Sequence, residues 1–230
     1  MLGIIGAMDK EMDALFAQME GASPSRIGYS RYAEGLLAGV PVVISRCGPG
    51  KVNAAACAQA MLMRWQPEAV INIGVAGALM DALNVTDAVI ASSCVQHDVD
   101  TSAVGDPKGM VSGVNMIHFP CDEVIREMLT EAADEEGLTH TAMAIATGDR
   151  FVEKPEEKRL IAAEFGAAAC DMEGGAIAQV CVEMGVPFAA YRTISDTVEG
   201  TGQEYLLTAR MAAEASGKLL HRFLKKWKKA

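Results

Sequence analysis

The chain has 230 residues, of which 50% are hydrophobic and 22% charged, and 30 acidic against 20 basic side chains leave a net charge of −10 at pH 7. This composition is typical of one globular domain, residues 1–230, with enough apolar side chains for a large core. An acidic surface repels phosphate backbones, and no apolar run reaches the roughly 20 residues of a membrane span, so we expect neither nucleic acid nor a membrane as partner.

Cysteine usage indicates a reducing compartment. The six cysteines form no C-x-x-C pair and lie mostly in apolar runs, so we expect buried thiols in a cytoplasmic protein. The start "MLGIIGAM" lacks a basic leader, and no signal peptide is expected. The basic tail "LLHRFLKKWKK" is interpreted as a helix end whose lysines complement the dipole; binding to anionic lipid or RNA is the alternative.

Predicted strands and helices alternate along the chain. The strands are expected around residues 2–7, 27–35, 40–46, 67–79, 87–95, 141–147, 167–173 and 186–196. The helices are expected around residues 9–19, 48–65, 122–137, 154–166, 174–185 and 203–226. This order predicts an α/β fold with a mostly parallel sheet covered on both faces. The loop 96–120, rich in Gly, Asp and Ser, is long enough to suggest a functional role.

Three carboxylates follow apolar strands and form the strongest functional signal. Glu11 comes after the first strand, Glu173 lies in "AACDMEGGA", and Asp196 ends "VPFAAYRTISD". Ligands of open α/β sheets bind outside the carboxyl ends of the strands. Each acid alone is equally typical of a helix N-terminus or an N-cap, but three at one edge indicate acid/base chemistry on a small polar molecule.

Glycine-rich segments invite a nucleotide-binding interpretation that the spacing does not support. "GIIGAM", "GPGK" and "GVAG" do not match G-x-G-x-x-G, and "GPGKV" lacks the first glycine and the Ser/Thr of a phosphate-binding loop. A nucleotide-dependent oxidoreductase is therefore not expected. Residues 74–77 form either a tight strand-to-helix turn or a set of backbone amides that bind a ligand, and both interpretations stay open.

Seven motifs, taken together, resemble one known family. "LGIIGAMDKEM", "GPGKVNAA", "NIGVAGAL", "VQHDVDTSA", "ATGDRFV", "CDMEGGAIAQVC" and "RTISDT" are similar in kind and order to those of bacterial 5′-methylthioadenosine/S-adenosylhomocysteine nucleosidases of the nucleoside phosphorylase superfamily. The resemblance implies a central mixed, largely parallel, twisted sheet flanked by helices, and a homodimer. It also implies hydrolysis of the bond between adenine and a 5′-thio-substituted ribose, with neither metal nor organic cofactor.

The resemblance assigns three catalytic roles. Asp196 matches the general acid that protonates the departing purine, and it must hold a proton near neutral pH. Glu11 matches the base that activates water. Glu173 matches the residue that binds the ribose hydroxyls and stabilises the developing sugar cation. Arg192 is expected to help hold the attacking water, with an ion pair to a nearby acid as the alternative.

Further positions match substrate-binding residues of the family. Phe151 should stack on the purine and Val152 should offer its backbone to the base edge, although plain packing is the more common role of a lone Phe. The remaining expected contacts are Met8, Val75, Ala76, Gly77, Met172, Ser195 and Tyr205. The two methionines have core filling as the alternative, and Tyr205 is the candidate aromatic that closes over the nucleoside. Thr101 and Val104 are expected to reach the neighbouring subunit.

Two features bear on the reaction type. Phosphorolytic relatives need arginine for phosphate, but Asn72 stands where arginine is expected, and acids crowd the first turn after strand one. A phosphate-dependent purine nucleoside phosphorylase and a non-catalytic nucleoside-binding protein remain the alternatives. The sequence does not rank methylthioadenosine, S-adenosylhomocysteine, 5′-deoxyadenosine and aminodeoxyfutalosine, because the late helix and the loop 96–120 match least.

Overall fold

The structure, a computed structural model, describes residues 1–228. Lys229 of the basic tail and Ala230 lie outside the described residues. The helices are α1 (Asp9–Gln18), α2 (Lys51–Trp65), α3 (Glu123–Glu135), α4 (Pro155–Phe165), α5 (Gly174–Glu183) and α6 (Gly202–Trp227). The strands are β1 (Leu2–Gly6), β2 (Glu20–Ile27), β3 (Ser30–Leu37), β4 (Val40–Arg46), β5 (Ala69–Asn72), β6 (Val75–Ala78), β7 (Ala88–Gln96), β8 (His118–Pro120), β9 (His140–Thr147), β10 (Ala167–Asp171) and β11 (Phe188–Asp196).

The strands form one mixed sheet in the order β2-β3-β4-β1-β5-β11-β6-β10-β9-β7-β8. Its centre is parallel, because β1 pairs in parallel with β4 and β5, and β11 with β5 and β6. An antiparallel meander, β2-β3-β4, forms one edge. The predicted α/β fold with a mixed sheet is confirmed.

Strand β11 joins two parts of this sheet. Its first residues, 188–190, pair with β5, and residues 193–196 pair with β6. Residues 191–193 also pair antiparallel with β7, and the further pairs β7–β9, β9–β10 and β10–β6 close a ring of five strands. The two parts of the sheet therefore meet in the middle of β11, and its carboxyl end belongs to the ring.

The structure corrects the strand predicted at residues 27–35. The chain turns at Gly28, whose φ is +59°, so this range spans the end of β2 and most of β3. Strand β2 has the polar sequence EGASPSRI and is largely exposed, so it carries no apolar alternation from which it could be predicted. Gly74 divides the strand predicted at residues 67–79 into β5 and β6, and the loop 96–120 contains β8 and a short 3₁₀ helix, Ser102–Val104.

Local sequence accounts for the helix ends. Asp122 caps α3 by accepting from Ile125 N, Pro155 begins α4 and Thr201 caps α6 by accepting from Gln203 N, three of the common N-terminal signals. The central strands are buried on both faces, and all six cysteines are buried free thiols, as predicted. Among residues 1–228, no helix combines the length and apolar character needed to cross a bilayer.

Candidate active site

A cleft of about 660 Å³, including its open mouth, lies at the carboxyl ends of β1, β10 and β11. Twelve of the predicted site residues line the cleft: Met8, Glu11, Val75, Ala76, Gly77, Phe151, Val152, Met172, Glu173, Ser195, Asp196 and Tyr205. The three carboxylates therefore share one cavity.

Glu11 is held by backbone amides on both carboxylate oxygens. Its Oε2 accepts from Ala7 N at 3.0 Å and Met8 N at 2.9 Å, and its Oε1 accepts from Val75 N at 3.1 Å. Burial raises the pKa of Glu11, while the Met8 amide and the charge of Arg192 oppose the rise. Gly74 is required beside it, because a Cβ at that position would lie 2.9 Å from Glu11 Oε1. Glu11 is a fixed, buried acceptor at the cavity wall.

Glu173 sits at the N-cap of α5 and faces the same cavity. Its Oε1 accepts from Gly50 N at 3.0 Å. Burial and the negative charge of Asp171 raise its pKa to about 8, against the opposing charge of Arg192. Among residues 1–228 only Gly50 N donates to this carboxyl group, so the second oxygen, Oε2, can accept from a ligand hydroxyl.

The position of Arg192 differs from the prediction. Its side chain does not line the cavity, and its Nη2 bonds Asp171 Oδ2 and Asn72 Oδ1, each at 2.5 Å. Both partners of the Arg192–Asp171 pair are 1% exposed. Acceptors on β5 and β10 draw the guanidinium behind the cavity wall, which corresponds to the ion-pair alternative. From this position, the charge of Arg192 still opposes the rise in the pKa values of Glu173 and Glu11.

Asp196 is anchored through both oxygens. Ser195 Oγ donates to Oδ1 at 2.9 Å, and Lys158 Nζ donates to Oδ2 at 2.9 Å. Gly77 lies against it, since a Cβ there would come within 2.8 Å of Oδ2. The carboxyl group therefore has one orientation, set before any ligand enters.

Aromatic side chains cover the mouth of the cavity. Phe151, 47% exposed, meets Tyr205 edge to face with ring centroids 5.5 Å apart. Tyr205 Oη also lies 3.2 Å from Met8 Sδ and accepts from Lys10 Nζ at 2.8 Å. Helix α6 thus brings an aromatic ring over the cleft from a distant part of the sequence, and a planar ligand could insert against Phe151.

Thr101 and Val104 do not line the cavity of their own chain. They belong to the segment with the short 3₁₀ helix, in which Thr101 Oγ1 donates to Asp106 and Val104 is 82% exposed. Their expected contact with a neighbouring subunit stays a prediction.

Sequence reasoning missed Ala7, Pro49, Arg150, Cys170 and Asp171 as cavity-lining residues, and it missed Lys158 behind Asp196. Lys158 precedes Ile161 by three residues and Phe165 by seven, and all three are buried on one face of α4. A lysine on the apolar face of a helix is unusual. This pattern could have indicated from the sequence that Lys158 is buried and paired. Within residues 1–228, no three His, Cys, Asp or Glu side chains are grouped to hold a metal ion.

This fold, with carboxylates gathered in a cleft at its strand ends, defines a member of the phosphorylase superfamily, whose family model matches residues 1–225. A 5′-methylthioadenosine/S-adenosylhomocysteine nucleosidase of Geobacillus kaustophilus is 38% identical over 220 residues, covering 94% of this chain and 93% of the relative. Within the superfamily, the chain therefore belongs to the 5′-methylthioadenosine/S-adenosylhomocysteine nucleosidase family.

Two solved structures are similar over nearly the whole chain. The nucleosidase of Neisseria meningitidis, in complex with methylthio-immucillin-A, has a TM-score of 0.93 and 34% identity, with 98% of each chain covered. Futalosine hydrolase of Helicobacter pylori has a TM-score of 0.91 and 30% identity, covering 98% of this chain and 97% of that chain.

Proposed function

We propose that this protein hydrolyses the N-glycosidic bond of 5′-methylthioadenosine and S-adenosylhomocysteine, releasing adenine and the 5′-thio-substituted ribose. The observation that carries the proposal is the single cleft shared by Glu11, Glu173 and Asp196. Membership of the nucleosidase family, with relatives named for these two substrates, supports the same reaction.

Asp196 is the proposed general acid. As the bond to the sugar breaks, its electron pair goes to the purine, and a proton from Asp196 makes the purine a neutral leaving group. Such a donor contributes roughly 10²–10⁴-fold to the rate. Asp196 is buried, and the hydrogen bond from Ser195 fixes the orientation of its carboxyl group. Both features favour this role, because the proton donor does not have to reorient before the transfer.

Glu11 is the proposed base for the attacking water, and Glu173 the proposed ligand of the ribose hydroxyls. A carboxylate held by three backbone amides can accept a water proton without changing its own position. As positive charge develops on the sugar, the negative charges of this cavity stabilise it. Phe151 and Tyr205 at the mouth suit the flat purine.

The charges around the cavity favour water over phosphate as the nucleophile. Phosphate would face the Glu11 carboxylate, and Arg192 is already bound to Asp171 and Asn72. Arg150, which does line the cavity, forms an ion pair with Glu157. The cavity therefore accommodates a neutral water next to Glu11 better than a phosphate dianion.

The test is adenine release by purified protein in phosphate-free buffer. We expect release from methylthioadenosine and S-adenosylhomocysteine together with a free reducing sugar, and no acceleration by added phosphate. A panel that adds 5′-deoxyadenosine and aminodeoxyfutalosine then ranks the substrates. Formation of a sugar 1-phosphate as the only product would overturn hydrolysis.

Replacement of the acid tests its role. We expect Asp196→Asn to lower kcat for adenine release by about 10²–10⁴-fold, while a non-hydrolysable adenosine analogue still binds, because the amide keeps the shape of the side chain. Calorimetric titration and turnover assays on the same preparation check both. Unimpaired turnover in this variant would remove Asp196 from the acid role.

We further propose a cytoplasmic homodimer in which Thr101 and Val104 of one subunit cover the 5′-thio group bound by the other. The exposure of Val104 on an ordered 3₁₀ turn supports this assignment. The exposed apolar side chain of Val104 could pack against the apolar 5′-thio substituent of a ligand in the neighbouring subunit.

A further inference from the structure

Lys158 is a fully buried lysine directly behind the proposed acid. It is 0% exposed, Asp196 is 1% exposed, and Nζ lies 2.9 Å from Asp196 Oδ2. Lysine is almost never fully buried unless it is paired, because removal of its charge from water is costly. A buried ammonium at this position therefore acts on Asp196 with little screening by solvent.

All three ammonium hydrogens of Lys158 have acceptors. Besides Asp196 Oδ2, Nζ donates to the carbonyls of Thr197 at 2.7 Å and Gly200 at 3.4 Å. The loop that carries these carbonyls is itself fixed, because Gly200 N donates to Thr197 O and Thr197 N donates to Glu204 Oε2. Carbonyls can only accept, so two of the three contacts require that Nζ donates.

We propose that Lys158 is the positioning residue of the acid, and that its ammonium stabilises the carboxylate that Asp196 becomes when it gives its proton to the purine. The inference rests on the proposed hydrolysis. In this step the O–H bond of Asp196 breaks, an N–H bond forms on the purine, and Lys158 keeps all three hydrogens. The C–N bond to the sugar breaks with its electron pair going to the purine, the water oxygen bonds to the sugar carbon, and one water proton goes to Glu11. Glu11 then releases that proton to solvent, and solvent returns a proton to Asp196.

Once Asp196 has given up its proton, the 2.9 Å contact between Lys158 Nζ and Asp196 Oδ2 joins an ammonium to a carboxylate. A cation that favours the carboxylate makes Asp196 a stronger proton donor at the moment the bond breaks. Lys158 does not line the cleft, so it acts only through Asp196 and does not contact the substrate.

The other titratable groups near this pair lie on different elements. Cys170 of β10 interacts electrostatically with both Asp196 and Lys158, and Glu204 of α6 binds the Thr197 backbone. Glu11 and Glu173 line the same cleft as Asp196. None of these groups supplies a positive charge, so the removal of Lys158 leaves Asp196 without its adjacent cation.

The test compares Lys158→Met with Lys154→Met, a matched change at the exposed N-cap of the same helix. Each variant is assayed on methylthioadenosine and on 4-nitrophenyl 5-methylthioriboside, whose leaving group needs no proton. For Lys158→Met we expect kcat on methylthioadenosine to fall about 10- to 100-fold, with KM unchanged. We expect full activity on the aryl riboside and an alkaline limb of the pH profile that moves to higher pH.

Lys154→Met should match the parent protein on both substrates. Equal losses on both substrates in Lys158→Met would indicate a merely structural anchor and overturn the proposal, as would full activity on methylthioadenosine. Aryl riboside turnover also reports that the variant is folded.

A double-mutant cycle tests whether Lys158 acts through Asp196. In the Asp196→Asn background, the additional Lys158→Met change should cause no further loss of adenine release, because the acid is already absent. An additive loss would overturn the proposal. A parent protein that releases no adenine from either nucleoside would instead overturn the proposed function, and the inference with it.

Discussion

At the scale of single residues, the cleft concentrates negative charge that the fold only partly compensates. Burial and Asp171 raise the pKa of Glu173 to about 8, although Arg192 and the Gly50 amide oppose the rise. The folded chain therefore holds a proton on Glu173 that the unfolded chain releases above the ordinary value of 4.5. Stability falls as pH rises through this window, because the folded state binds more protons than the unfolded state.

Glu173→Gln should consequently stabilise the ligand-free protein above pH 8 and leave it unchanged below the ordinary pKa of a glutamate. We expect a gain on the order of 2 kcal/mol in the free energy of unfolding at about pH 9. Urea unfolding at about pH 4 and pH 9 measures it. Glu20→Gln, at an exposed position of β2, is the control and should show no such pH dependence. An equal gain at both pH values would contradict this account.

The gathering of the three cleft carboxylates was predictable from the sequence because each follows an apolar strand, and strand ends of a parallel sheet meet at one edge. Arg192 was not correctly placed, because the direction of its side chain depends on Asn72 and Asp171, which come from two other strands. Lys158 was missed for a similar reason. Its helix was predicted, but only the packed structure shows that its buried face points at Asp196.

At the scale of elements, the site depends on close contacts between strand ends. Strand β6 approaches Asp196 through Gly77, where there is no room for a side chain. Helix α6 closes the cleft with Tyr205 from its first turns. The α/β order of these elements was predictable from periodicity, whereas β2 was not, because an exposed edge strand shows no apolar face.

Gly77→Ala should displace the acid and leave the fold largely intact. Its Cβ would come within 2.8 Å of Asp196 Oδ2, so the carboxyl group must shift away from its hydrogen bonds to Lys158 and Ser195. A displacement on the order of 1 Å can cost about 10²-fold in rate, so we expect a loss of about 10- to 100-fold in kcat with a small change in Tm.

The matched change is Gly217→Ala in the interior of α6, where a new Cβ meets no atom within 4 Å. We expect it to raise stability by about 0.5–1 kcal/mol and to leave kcat unchanged, because alanine favours the helix. Thermal unfolding and adenine-release assays compare both variants. A Gly77→Ala protein with full activity would show that the acid tolerates displacement.

At the scale of the whole molecule, the assembly proposed above has a direct consequence. If Val104 covers the neighbour's ligand, Val104→Asp should weaken association and raise KM for methylthioadenosine about tenfold, which corresponds to roughly 1.4 kcal/mol. Light scattering and steady-state kinetics measure the two effects. Val124→Asp, an exposed valine on α3, is the control. A monomeric parent protein with full activity would contradict the assembly.

Strand β11 couples the cohesion of the sheet to the geometry of the cleft. It pairs with β5 on one part of the sheet and with β6 and β7 on the other, and it carries Asp196 at its end. A substitution that weakens these pairings should therefore loosen both parts of the sheet and displace Asp196 at the same time.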